Sequence, residues 1–369
     1  MFRFTPVSKL PGHGRTGKID SSHGSINTPV FMPVGTAATV KSLCREDLEG
    51  LGAQIILANN YHLFLRPGSS NVKKLGGLHK FMNWPHPILT DSGGFQVQSL
   101  SADDVAMCKI DEDGVTFRSH LDGGSLHRFT PQIATKSQID LGADIVMAFD
   151  DSTPPNATHA RTLKALDRTH RWLSECIKTW KSSSSKQTDP PALFGIIQGG
   201  TYPDLRQQSA RFVIDCDLPG IAIGGASIGT KAQETAENIA FVREMLPKNK
   251  PLYAMGVGVT PSDLVSVIKA GADMFDCVAP TRLARCGQLY HPEPKTEYLD
   301  ISKSQFKLDK KVINSGCDCS TCTSGYSRAY LHHLFKAKEL LYHKLATIHN
   351  LRTMIRTVEK ERSQAIITV

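Results

Sequence analysis

Eight short apolar runs, each ending in glycine or a polar residue, set what this chain can fold into. They are FMPVG (31–35), IILANN (55–60), PILTDSGG (87–94), DIVMAFDD (144–151), LFGIIQGG (193–200), GIAIGG (220–225), LYAMGVG (252–258) and MFDCVAPTR (274–282). The runs are continuous rather than alternating, which is how strands buried on both faces read. About 20–60 residues separate them, enough for helical crossovers between parallel neighbours. The pattern predicts an α/β fold, a (β/α)8 TIM barrel over about residues 25–290, with its active site on the loops that follow the strands. An open doubly wound sheet is the competing architecture, because periodicity does not separate the two.

The intervening segments fit that frame. In THARTLKALDRTHRWLSECIKTW, residues Leu163, Leu166, His170, Leu173 and Ile177 recur at helical spacing, which predicts a helix over 158–180. The SSSSKQTDPP stretch after it reads as a surface loop. A shorter helix is expected over 264–270. Residues 1–25, rich in Gly, Ser and Thr, read as a β-capping segment, and a C-terminal helix is expected over about 330–365. GHGRTGKI (12–19) nearly matches a phosphate-binding P-loop. It has Ile19 where the magnesium-binding hydroxyl should stand and Pro11 where a strand should end, so no nucleotide site is assigned to it. No apolar run approaches the ~18 residues of a membrane helix, and the N-terminus lacks a secretory apolar core. A cytoplasmic protein is expected.

If the runs are barrel strands, their ends share one mouth. Asn59, Asn60, Asp91, Ser92, Asp150, Asp151, Gln198 and Asp276 would meet there with three Gly-Gly pairs. Taken singly, a strand-end Asp caps a helix and a Gly pair makes a turn. Four carboxylates at one mouth raise one another's pKa, a cost that points to acid–base or nucleophilic work.

Cys317, Cys319 and Cys322 form C-x-C-x2-C, with His349 further along. Three thiolates and a neutral imidazole suit tetrahedral zinc with no open position, hence a structural site. The spacing leaves His332, His333 and His343 as alternative fourth ligands. A zinc-binding subdomain is expected over about 291–350. Residues 281–369 carry 15 Lys and Arg against 8 Asp and Glu, so the +8 net charge is concentrated there. A basic end on a neutral body suits a polyanion such as a nucleic acid.

With these pieces in place the chain resembles the tRNA-guanine transglycosylase (queuine tRNA-ribosyltransferase) family, in its bacterial single-chain form. The likeness runs in order through NNYHLFLRPG (59–68), ILTDSGGFQVQSL (88–100), GADIVMAFDD (142–151), FGIIQGG (194–200), AIGG (222–225) and YAMGVG (253–258). It continues through GADMFDCVAPTRLAR (271–285), CDCSTC (317–322), YSRAYLHHL (326–334) and TIHNL (347–351). The resemblance implies a single catalytic domain, 1–369, with one structural zinc on Cys317, Cys319, Cys322 and His349. It implies exchange of guanine at the anticodon wobble position for a 7-deazaguanine base, preQ1 or queuine. The tRNAs would be those with GUN anticodons, for Asp, Asn, His and Tyr. By the same carry-over Asp276 is the nucleophile and Asp91 the general acid/base. Ser92, Asp150, Gln198, Gly224, Gly225 and Met255 surround the base, with Gln96 near the ribose. Arg282 and Arg285 match a tRNA-contacting stretch. Ser152, Ala226 and Ile228 depart from the common bacterial residues and would tune the pocket around the 7-substituent. A homodimer is implied. The alternative is a non-catalytic tRNA-binding subunit of a heterodimer, which the presence of both Asp91 and Asp276 disfavours.

Overall fold

The first of the eight runs is broken at Pro33, and that break closes a ring. In the computed structural model, which describes residues 2–96, 108–119, 121–185, 187–225, 232–292 and 297–365, its two halves are strands Val30–Met32 and Val34–Gly35. The first half pairs with the last barrel strand, Met274–Asp276, setting Phe31 opposite Phe275. The second half pairs with the next strand, Ile56–Ala58, setting Val34 opposite Leu57. Ile88–Thr90, Ile145–Met147, Ala192–Ile197, Gly220–Ile223 and Leu252–Ala254 complete the circuit in sequence order, each parallel to its neighbours. The sheet is therefore a barrel and not an open doubly wound sheet.

Both faces of the strands are covered. Val34, Leu57, Leu89, Met147, Phe194 and Tyr253 fill the interior with their neighbours, while a second apolar layer lies between the strands and the helices. The antiparallel strands Arg3–Lys9, Arg15–Ser21 and Gly24–Thr28 plug the lower end, and Phe4, Ile19 and Ile26 join the interior core. The P-loop-like residues supply one of these strands. Two buried aspartates fasten the plug. Asp144 accepts the His23 ring (2.8 Å) and backbone N–H on Oδ1, and the His79 ring (3.1 Å) and Ile88 N–H (2.8 Å) on Oδ2. Asp273 takes both arms of Arg15, at 2.8 and 2.7 Å.

The helix His159–Ser184 starts at the Thr158 cap and runs past Trp180 into the serine tract. The shorter helix is Pro261–Lys269, closed by a Thr260–Asp263 capping box. A small antiparallel sheet, Cys108–Ile110, Val115–Arg118 and Leu126–Phe129, is inserted after the third barrel strand and was not expected. The helix expected over 330–365 is two helices, Arg328–Ala337 and Leu340–Arg362. Lys338 lies in the left-handed region (φ 57°), which ends the first, and Glu339, in extended conformation, leads into the second. The longer one packs on Pro261–Lys269, Ala279–Arg285 and the first strand, filling the outer position that seven-residue Ala279–Arg285 is too short to cover. Among the described residues no helix is long and apolar enough to cross a membrane.

Candidate active site

The upper ends of the strands bring three carboxylates together. Asp91 follows the third strand and is almost fully buried. Its Oδ1 accepts the Asn60 N–H (2.8 Å), the first of a short helix. Its Oδ2 accepts the Asn59 amide and the Gln96 amide (2.8 Å). Asn60 itself is locked by Ser137 and by the carbonyls of Ser92 and Ala134. Burial pushes Asp91 up to about 6, the three donors oppose that rise, and the charge of Asp276 adds to it.

Asp276 ends the last strand and is half-buried. The Tyr253 hydroxyl (2.6 Å) and the Gly256 N–H (2.9 Å) both donate to its Oδ1. No donor among the described residues reaches Oδ2. Burial raises its pKa, and Tyr253 and Gly256 pull the other way. Among the described residues, then, Oδ1 is held by two donors and Oδ2 by none.

Asp150 follows the fourth strand. Gln198 donates to Oδ2 at 2.6 Å and the Ser92 hydroxyl to Oδ1 at 3.4 Å. Burial pushes it up to about 6, with the neighbouring Asp151 charge adding to the rise. Gly94 comes so close that a Cβ there would stand 2.8 Å from Oδ1. Gly224 and Gly225 lie against the Gln198 amide in the same way, at 2.5 and 2.8 Å. A carboxylate beside a primary amide on a floor of glycine backbone offers acceptors and a donor side by side, which suits the edge of a purine. Met255 is half-buried against the interior core, next to the Gly256 that holds Asp276.

Other expected residues fall as follows. Gln96 donates to Asp91 and so belongs to the carboxylate's support. Ser152 is half-buried two residues beyond Asp150. Ala226 and Ile228 lie outside the described residues. Arg282 is exposed on Ala279–Arg285, just after the Asp276 strand, while Arg285 is half-buried and donates back to the Thr281 carbonyl. Asp151 turns away from the mouth. It pairs with Arg168 and Arg161 of the long helix, so three carboxylates meet there rather than the four the strand ends implied. Tyr253 was not singled out by sequence. It sits inside an apolar run and reads as core; what marks it is its position on the strand next to the one that ends at Asp276, which the sequence does not show.

The second cluster is the three cysteines with His349, all buried. His349 Nδ1 lies 3.6 Å from Cys319 Sγ and 3.4 Å from Cys322 Sγ. A tetrahedral zinc with ordinary Zn–S and Zn–N bonds puts S and N about 3.5 Å apart. His349 Nε2–H donates to the Tyr290 carbonyl at 2.8 Å, which leaves Nδ1 as the ligand atom. The donor set therefore fits a closed metal site, and the alternative histidines are not part of it. His23, His79 and Asp144 form another compact group. Their two rings stack at 3.5 Å and 11°, so one ion cannot lie in both ring planes, and Asp144 already takes four donors. That group is a clamp.

Comparison with known proteins agrees with this geometry. The family described as queuine tRNA-ribosyltransferase matches residues 11–367. A queuine tRNA-ribosyltransferase of Herpetosiphon aurantiacus is 52% identical over 351 residues, 95% of this chain and 86% of that protein. One from Caldanaerobacter subterraneus is 50% identical over 348 residues, 94% and 89% of the two chains. One from Koribacter versatilis is 46% identical over 370 residues, 98% and 93% of them. A match spanning almost the whole chain, on a closed barrel with these carboxylates at its mouth, makes this chain a member of the queuine tRNA-ribosyltransferase family, the tRNA-guanine transglycosylases.

Proposed function

We propose that this pentosyltransferase exchanges guanine at the wobble position of GUN-anticodon tRNAs for a 7-deazaguanine base by double displacement at one face of the ribose. The observation that carries the reading is the pair Asp276 and Asp91: one carboxylate whose Oδ2 takes no donor among the described residues, the other poised near neutrality within its electrostatic reach.

In this reading Asp276 Oδ2 attacks C1′ as the bond to guanine N9 breaks, giving an ester between Asp276 and the ribose. Asp91 gives its proton to the departing guanine. The incoming base then attacks C1′ from the side guanine left, the ester breaks, and Asp91 takes the proton that the new base loses at N9. A pKa of about 6 suits a group that must both give and take a proton near neutrality. Two displacements retain the β configuration. Asp150 accepts from the purine N–H groups, Gln198 donates to its carbonyl, and Met255 packs on its face. The wobble nucleotide must leave its stack to reach the mouth. Arg282 and the basic residues after it take the phosphates, so binding weakens with salt.

The same reading takes residues 1–369 as one cytoplasmic catalytic domain that works as a homodimer, with a single structural zinc on the Cys3His set. Bound there, the metal would pin the cysteine loop, residues 317–322, against the C-terminal helix that carries His349, and would supply no step of the reaction. A non-catalytic partner subunit has no need of Asp91 and Asp276 with all their donors in place, which weighs against that alternative.

The test is base exchange with a GUN-anticodon tRNA carrying labelled guanine, chased with guanine, preQ1 or queuine. Release of label is expected, and the preferred base identifies the physiological one. Zinc-loaded protein that releases none with any base would overturn the reading in favour of the partner subunit.

A further inference from the structure

Arg206 is a charged side chain with no exposed surface and no carboxylate partner among the described residues. It stands in the first turn of Pro203–Asp215, the helix after the fifth barrel strand. Burying a guanidinium without a counter-ion is expensive, so its position calls for a reason. Its partners are three backbone carbonyls. Nε donates to Gly200 (2.8 Å), and Nη1 donates to both Ile197 (3.1 Å) and Gly224 (2.7 Å). Ile197 precedes Gln198, Gly200 lies two residues after it, and Gly224 follows the adjacent strand, Gly220–Ile223. The planar fork thus bridges the two strand ends directly behind the amide that bonds Asp150. Nη2 is buried with no partner among the described residues, 3.8 Å from where a Cβ on Gly225 would stand. The same helix supplies Ser209, whose hydroxyl accepts the Gln198 N–H at 3.0 Å.

We propose that Arg206 is the positioning residue of the base pocket: it fixes Gln198 and the Gly224–Gly225 backbone relative to each other, and so sets the affinity for the purine. This rests on the functional reading above and adds a residue to it. A lysine at this position keeps the charge but presents a single nitrogen, which cannot reproduce the planar fork across three carbonyls. With the fork gone, the Gly224–Gly225 turn (Gly225 φ 63°) is free to rotate, and Gln198 loses the floor it rests on.

The experiment compares the full-length wild type with Arg206→Lys and Arg206→Ala. It measures calorimetric binding of free guanine, the KM for guanine, tRNA affinity by gel shift, and the effect of millimolar methylguanidinium. Guanine affinity is expected to fall at least about tenfold in both variants and the KM for guanine to rise in step. tRNA affinity stays within about twofold, because phosphate contacts dominate it. Methylguanidinium is expected to restore guanine binding to Arg206→Ala and to leave Arg206→Lys unchanged. Wild-type guanine affinity in Arg206→Lys overturns the proposal. So does a parallel loss of guanine and tRNA binding without rescue, which would make Arg206 scaffold only. If Arg206→Ala does not fold, the lysine variant carries the comparison alone. Failure of the wild type to bind guanine would instead overturn the functional reading together with this one.

Discussion

The Tyr253 hydroxyl donates to Asp276 Oδ1 at 2.6 Å from the neighbouring strand. With the Gly256 N–H on the same oxygen, it leaves Oδ2 without a donor among the described residues. A donor to a charged acceptor is worth about 1.5–3 kcal/mol. Tyr253→Phe is therefore expected to lower kcat roughly 10–100-fold. It also removes a group that holds the Asp276 pKa down, so the acid limb of the rate profile should move to higher pH. Wild-type kcat and an unmoved limb would show that the hydroxyl does not support the nucleophile.

Asp276→Asn should abolish the covalent protein–tRNA species on a denaturing gel. Gel-shift affinity for tRNA should change little, since phosphates dominate it. A trapped species in this variant would take the nucleophile role from Asp276.

Asp150 titrates near 6 in the fold, above its ordinary 3.8. The folded protein thus holds this proton more tightly than the unfolded chain. The stabilisation from protonation is fully present below about 4 and is lost as pH rises through 6. Asp150→Asn is expected to raise stability at pH 8 by about 2–3 kcal/mol, to have little effect at pH 4, and to abolish guanine binding. Melting curves at the two pH values check the sign; equal shifts at both would contradict it.

Removing one residue of the Cys3His set should loosen the cysteine loop from the C-terminal helix that carries His349. Cys319→Ala is expected to lose about one zinc per chain by metal analysis and to melt at lower temperature. Chelation should do the same to the wild type. Unchanged metal content would refute the Cys3His site.

The clamp at the lower end predicts a pH dependence of its own. The hydrogen bond to Asp144 raises the His23 pKa above its usual 6.5. The charge-assisted part of that bond is present below 6.5 and fades as pH rises through the raised value. His23→Ala should lower the melting temperature more at pH 6 than at pH 9. An equal loss at both would mean that only the neutral hydrogen bond matters.

The barrel was legible because each strand is a local apolar run, and Asp91, Asp150 and Asp276 stood out because each sits at the end of one. The cysteine cluster was legible for the same reason, since three of its four ligands lie within six residues. His349 could not be chosen by spacing; what selects it is the Tyr290 carbonyl, from a strand 59 residues away. Asp151 misled because adjacent strand-end residues point to opposite sides, and its partners lie on a helix the sequence does not tie to it. The inserted sheet was missed because its strands, CKI, VTFR and LHRF, mix polar with apolar residues and form no continuous apolar run. Tyr253 and Arg206 were missed because tertiary contacts give them their roles.

The outer ring of this barrel is finished by Leu340–Arg362, which packs on the first strand and reaches the Leu51 carbonyl through Arg352, 301 residues away in sequence. During synthesis the seam beside the first strand stays bare until that helix has left the ribosome. A chain cut short in the metal-binding region would carry every active-site residue and still expose apolar surface along the seam. Proteases and chaperones could thus tell a truncated product from a finished one before it ever met a tRNA.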